Sequence, residues 1–331
     1  MTNGAAPIGA ERTDIADASG EDRPAAWGRF VAWRPYQLLS AVVFASPRRQ
    51  FLMLAVIPVI WVLTQHLGPM LQMLRVSLMD AYPVTVGQEP QLTLDNYAQF
   101  FQESVFQRPF FRTLIYSSVL TFVTLIITYP VAYFLARHVK RHNQLALLLL
   151  LLVPFWTGEI VRTYAIMILL GNNGAVNIAL QWLGLIQRPI PFMYTGFSVS
   201  VGLIYLTALY MLLPLYSALE KLPRNITEAA ADLGAGAWTR FWRITLPLSL
   251  EGVGSGCVLV FLISTGYYGT PVLLGGPNST VFAQTIAGFF HVAGDKWPTG
   301  AAFAVIMFVT ALVLTGIFSR FISALRKGDS K

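Results

Sequence analysis

Apolar residues run through this chain in six long stretches, near 51–79, 113–136, 145–170, 197–219, 248–274 and 298–322. Each is long enough to cross a bilayer, which takes about 20 helical residues. Polar or Pro/Gly-rich connections separate them, so the pattern predicts an all-α integral membrane protein with about six transmembrane helices. The first stretch is the least lipid-like, because it holds Gln65, His66, Gln72 and Arg75. The third is interrupted from within by Pro154, then Thr157-Gly158-Glu159, then Arg162. Proline removes a helical hydrogen bond and a nearby glycine loosens the backbone, so a broken helix is expected there. In a bilayer such a break survives only against protein or a wet cavity.

Composition agrees with the pattern. Of 331 residues, 55% are hydrophobic and 12% charged, about half the charged share of a water-soluble protein. The net charge of +7 would suggest nucleic acid in a soluble chain. Here the cations flank apolar stretches, so the surrounding partner is membrane lipid and no nucleic acid is expected. Most of the 23 Lys and Arg fall in the leading segment, in the connections at 137–141 and 221–243, and in the tail. Cytoplasmic connections collect Lys and Arg; both termini and the 220–247 loop are therefore expected in the cytoplasm.

This layout divides the chain into a cytoplasmic tail over 1–46, a membrane domain over 47–325 and a short cytoplasmic tail over 326–331. Residues 1–26 are small, polar and Pro/Gly-punctuated, with no early apolar core of the kind a secretion signal has. The first outer loop, 80–111, is polar and closes on Phe106, Phe110 and Phe111, an expected external cap. Cys257 is the single cysteine, which excludes an internal disulfide. His138 and His142 share a helical face but sit in the basic run RHVKRH, a solvated flank. Gly252 and Gly256 permit close helix approach, either within the chain or against a partner. H-E-x-x-H, G-x-S-x-G and C-x-x-C are all missing, so no enzyme chemistry is indicated.

The stretch EAAADLGAGAWTRFWRITLP, residues 228–247, is charged and glycine-hinged between two apolar runs. Asn225 and Glu228 have the spacing of a capping box, and Ala229–Ala231 propagate helix at little cost. Gly234 and Gly236 then stop it. Trp238, Phe241 and Trp242 form an aromatic stripe on a second short helix, and Pro247 is expected to start the next span.

Glu228-Ala229-Ala230, three residues, Gly234, nine residues, Ile244, one residue, Leu246-Pro247 resembles the EAA signature of binding-protein-dependent ABC importer permeases, with every fixed position matched. The resemblance covers about 47–325. It implies a type I-like permease fold in which Glu228, Ala229, Ala230, Gly234, Ile244, Leu246 and Pro247 form the coupling loop. That loop would be gripped by a separate cytosolic ABC ATPase dimer. The chain has no G-x-x-x-x-G-K-[ST] phosphate loop, and no cofactor of its own is expected, ATP being bound by the partner ATPase. The other implied partners are a second permease subunit, in a heterodimer, and a periplasmic or extracellular solute-binding protein. The implied location is the bacterial inner membrane.

Shorter matches resemble the spermidine/putrescine group: TLDNY (93–97), YPVAYFLAR (129–137), VPFWTGEIVRTYA (153–165), GNNG (171–174) and TPVLLGG (270–276). Polyamine import is what these imply. Two places depart from the group, Glu159 within span three and the run GYYGTP at 266–271.

An ionised side chain within a span costs at least about 2.5 kcal/mol, so Glu159 and Arg162 are expected to face inward. One helical turn apart, they can also pair with each other. A polycation suits one carboxylate surrounded by rings; Trp156, Tyr164, Tyr267 and Tyr268 could supply them. The alternatives are a stand-alone secondary transporter, and an ABC permease for another solute such as an amino-acid-derived or opine-like compound.

Overall fold

The computed structural model describes residues 47–83, 91–291 and 296–328. The tail expected over 1–46, with its arginines, lies outside the described residues, as do Glu89 and the last three residues. Among the described residues six segments are long and apolar enough to cross a membrane: 54–77, 104–137, 159–182, 196–220, 237–266 and 297–324.

The chain divides into a unit ending at Met70 and a unit from Leu71 onward. Helix α1 is Pro47–Ser77. In the first unit it turns apolar residues outward on all sides, with Ile57, Trp61, Leu63 and Leu67 exposed. A helix apolar all round belongs in lipid or against protein.

In the second unit, α2 (Asp95–Gln102) leads into the long α3 (Ser104–Arg137). Phe106, Phe110 and Phe111, expected at the end of a loop, are therefore turns of α3. Phe110 joins Phe100, Phe282, Phe303 and Met307 in an aromatic cluster, where edge-to-face contacts such as Phe100–Phe110 at 5.1 Å favour the ring quadrupoles. Next come α4 (Arg141–Leu152), α5 (Glu159–Leu170), α6 (Ala175–Trp182) and α7 (Gly196–Glu220). After the connection at 221–245 follow α10 (Leu246–Gly266), α11 (Gly269–Leu274), α12 (Phe282–His291) and α13 (Trp297–Gly328). Helix α13 thus extends to Gly328, into the tail expected to begin at 326.

Helices α3, α7 and α10 pack together as the core, and α13 lies against α10. Gly252 and Gly256 press on α7. A Cβ on Gly252 would come 2.5 Å from the Ala218 methyl, and one on Gly256 2.7 Å from Met211 Sδ. Their close approach is therefore made within the chain. The core also buries hydroxyls. On α3, Thr121 and Thr128 donate to the carbonyls of Ser117 and Thr124, whereas the Ser117 and Thr124 hydroxyls have no hydrogen-bond partner among the described residues.

Two of the quoted motifs are held in place by buried asparagines. In TLDNY, Asn96 Nδ2 donates to the carbonyls of Ser77 and Met79, and its Oδ1 accepts from Thr299. In GNNG, the turn is held by the fully buried Asn177, which donates to the carbonyls of Gly171 and Ile190 and accepts from the Ile190 N–H.

Candidate functional site

The connection that holds the EAA pattern begins where α7 ends. Arg137 Nη1, at the end of α3, donates to the Leu222 carbonyl at 3.0 Å and ties the connection to the core. Helix α8 (Arg224–Asp232) follows, with Pro223 in the capping position and no side-chain cap. The capping box expected from Asn225 and Glu228 is therefore not formed. The fixed φ of proline presets the helix entry one residue before Asn225.

Helix α8 ends in a Schellman motif. The Ala235 N–H reaches the Ala230 carbonyl and the Gly234 N–H reaches the Ala231 carbonyl, both at 2.9 Å. Gly234 has φ +81°, and a Cβ there would meet nothing within 4 Å. Backbone conformation, not space, makes glycine the fitting residue. Glu228, Ala229 and Gly234 are exposed and Ala230 is half-buried. No residue of α8 with a described side chain is buried, and Leu233 is 89% exposed at its end.

The second half of the connection corrects the expectation of a separate short helix. Helix α9 (Ala237–Arg240) passes through a π turn, Phe241–Thr245, straight into α10. The Leu246 N–H bonds the Phe241 carbonyl five residues back. A proline inside a helix lacks an N–H and crowds the carbonyl four residues before it. The widened turn holding Ile244 lets Leu246-Pro247 sit inside a continuous helical path. That path, 237–266, has 30 residues and so a length of about 45 Å. Of the stripe, Phe241 faces inward, its ring 5.6 Å from Tyr129 and 6.4 Å from Tyr133. Trp238 and Trp242 stay exposed. Arg240 Nη1 reaches the Thr227 carbonyl at 3.4 Å, joining α9 to α8.

The far end of this rod meets the break in the third apolar stretch. Helix α4 ends at Leu152, Val153–Trp156 form one 3₁₀ turn, and Gly158 caps α5. The break expected from Pro154 and Gly158 is present. A second turn, at Gly171–Gly174, divides α5 from α6. Glu159 stands in the first turn of α5, where helix dipoles favour a carboxylate. Its Oε1 accepts from Thr270 Oγ1 on α11 at 3.4 Å, and Thr270 Oγ1 lies 3.2 Å from Thr163 Oγ1.

Glu159 and Arg162 form no ion pair among the described residues. Arg162 instead places its guanidinium 4.6 Å from the Phe155 ring centre, and its Nε and Nη1 are shielded without a hydrogen-bond partner. Tyr267 is half-buried and within electrostatic reach of both charges. Trp156 is 85% exposed, and Tyr164 and Tyr268 are exposed as well. None of these three makes a ring contact or side-chain hydrogen bond among the described residues. The chain alone therefore gathers Glu159, Arg162 and Tyr267, together with Thr163, Thr270 and Phe155, which the sequence did not single out. The hydroxyl pair carried no signal, because threonines at 163 and 270 meet only in the fold.

No protein-family model matches the sequence. The chain is 37% identical over 228 residues to the spermidine/putrescine transport system permease protein PotB of Salmonella typhimurium, which spans 69% of this chain and 78% of that one. It is 33% identical over 267 residues to PotB of Haemophilus influenzae, covering 78% and 90%. The chain belongs to the family of spermidine/putrescine permeases. The permease also matches the crystal structure of a bacterial alginate ABC transporter in complex with a pentasaccharide-bound periplasmic protein. There the identity is 18%, the TM-score 0.67 and the coverage 87% of this chain and 99% of that one. That likeness shows the fold, an ABC importer permease, as the EAA pattern implies. The permease is thus an all-α, multi-pass transport subunit.

Proposed function

We propose that the permease imports a polyamine across the bacterial inner membrane, driven by a separate ATPase pair that grips α8. The supporting observation is the continuous helical path 237–266. Its inner end is hinged to α8 by Gly234, and its outer end leads through Tyr267 to the Thr270–Glu159 contact. A push that enters at Ala237 is carried along α9, the π turn and α10 as one helical path until the chain leaves it at Tyr267. Glu228, Ala229, Ala230 and Gly234 make the grip. Ile244 lies in the π turn through which the push enters the span, and Leu246-Pro247 follow it as the first residues of α10.

In this account Glu159 attracts an ammonium group, and the exposed rings of Trp156, Tyr164 and Tyr268 complete its surroundings once a second permease subunit closes the pathway. A periplasmic binding protein delivers the solute to the outer face. Both termini and the elbow lie in the cytoplasm, and the permease holds no cofactor, ATP being bound by the partner. The test is uptake of labelled putrescine or spermidine into cells carrying the whole system. ATP-dependent uptake that survives a proton uncoupler supports the reading. Uptake abolished by the uncoupler while ATP stays high would make the permease a secondary transporter.

A second substrate class is favoured by one observation. The shielded Nε and Nη1 of Arg162 lack partners, and an unpaired cation beside the path suits a carboxylate. An amino-acid-derived solute carrying both charges would use Glu159 and Arg162 together. Competition between labelled polyamine and such a zwitterion for uptake decides between the two.

A further inference from the structure

A cleft of about 670 Å³ opens between the α3–α4 turn and the end of α7, lined by Arg137, Lys140, Arg141, Lys221, Gln144 and Glu220 among others. Four cations therefore face a single carboxylate. Lys140, Arg141 and Lys221 are exposed and make no ion pair among the described residues. The floor is rigid. Gln144, only 6% exposed, donates to the carbonyls of Leu135, Ala136 and Val139 and accepts from Tyr216 OH. This closes the end of α3 and fixes the α3–α4 turn. Above the cations α4 continues as LALLLLLL, with Leu145, Leu149 and Leu150 exposed by 66, 50 and 65%. Arg141 of the rim and Leu145 and Leu149 of the aliphatic face recur at four-residue spacing along α4, while Arg137 ends α3 and Lys221 follows α7.

We propose that this cleft binds the headgroup of an anionic phospholipid, with the acyl chains lying along the leucine face of α4. The cations sit where three apolar helices end. At that level a basic pocket selects anionic lipids by charge, each nearby Lys or Arg contributing about fivefold. A free phosphate would use the same cations but would leave the leucine face without an occupant. A lipid covers both.

The test uses the permease purified in detergent with its co-expressed partner subunits, delipidated, and offered phosphatidylglycerol against excess phosphatidylcholine. Native mass spectrometry then reads the retained lipid. Wild type is expected to retain phosphatidylglycerol. The combined variant K140Q/R141Q/K221Q is expected to hold it about 100-fold more weakly. The charge-matched control R108Q/R188Q/K296Q should behave as wild type, and excess glycerol phosphate should displace little of the bound lipid. A Leu149→Ser, Leu150→Ser variant should weaken retention while leaving the cations in place. The proposal is overturned if wild type retains no phosphatidylglycerol or if both charge variants lose it equally. Full displacement by glycerol phosphate would make the site one for a free anion. Lipid retained only when the ATPase subunit is absent would make the cleft a protein-docking surface.

Discussion

Phe241 of the elbow meets Tyr129 of α3 edge-on, with ring centres 5.6 Å apart and planes at 87°. Tyr129 OH in turn pairs with Ser249 Oγ on α10 at 2.9 Å. The widest turn of the rod is thereby braced against the core on one side and against the rod's own next turn on the other. Movement of the elbow must carry α3 and α10 with it.

Replacing Phe241 by Ala removes that brace. A fully buried Phe→Ala change costs about 3–5 kcal/mol, and half-buried Phe241 should lose about 2. The permease is expected to assemble with its ATPase, yet the ATPase should respond far less to loaded binding protein. Co-purification and stimulated hydrolysis, measured side by side, check this.

Gly234→Ala forces a Cβ into a backbone at φ +81°, a strain of about 1–2 kcal/mol. Because a Cβ there touches nothing within 4 Å, the strain should fall on the Schellman turn alone. Uptake should drop with little change in melting temperature. Gly234→Asn, which tolerates the left-handed region better, should retain more uptake than Gly234→Ala.

Asn177→Ala strips three hydrogen bonds from the Gly171 carbonyl and both polar groups of Ile190. Each buried backbone group left unpaired costs about 1–3 kcal/mol. The protein should be destabilised severely, lowering its detergent-solubilised melting temperature and its yield together.

Glu159→Gln keeps shape and removes charge. Thr270 should still donate to the amide oxygen, so the fold should stand. Polyamine uptake by the assembled system should fall by at least tenfold, while ATPase attachment is unchanged. Wild-type uptake in this variant removes Glu159 from the path.

Most spans and the elbow were legible because each rests on a local rule; the third was expected at 145–170, but the break leaves α4 with 12 residues and moves the crossing segment to 159–182. Long apolar runs, the proline at 154 and the positive-φ glycine at 234 act on their own neighbours. The elbow's continuity was not legible. Pro247 reads as a helix start, and only the π turn before it, braced by Phe241 on Tyr129 and Tyr133, lets the helix run through. The capping box failed for a related reason, since Pro223 sets the entry before Asn225 can cap. The Glu159–Arg162 pair has the right spacing, but Phe155 takes the guanidinium and Thr270 takes the carboxylate, and both partners arrive through tertiary packing.

The central claim is that α8 is where the motor grips. It is tested by Ala229→Cys in a Cys257→Ser background, with a cysteine placed in turn at surface positions of the ATPase subunit. A cross-link that forms in the assembled complex, changes with nucleotide and arrests uptake until reduced is the predicted result. ATP-driven uptake with no cross-link from residue 229 to any ATPase position would contradict it.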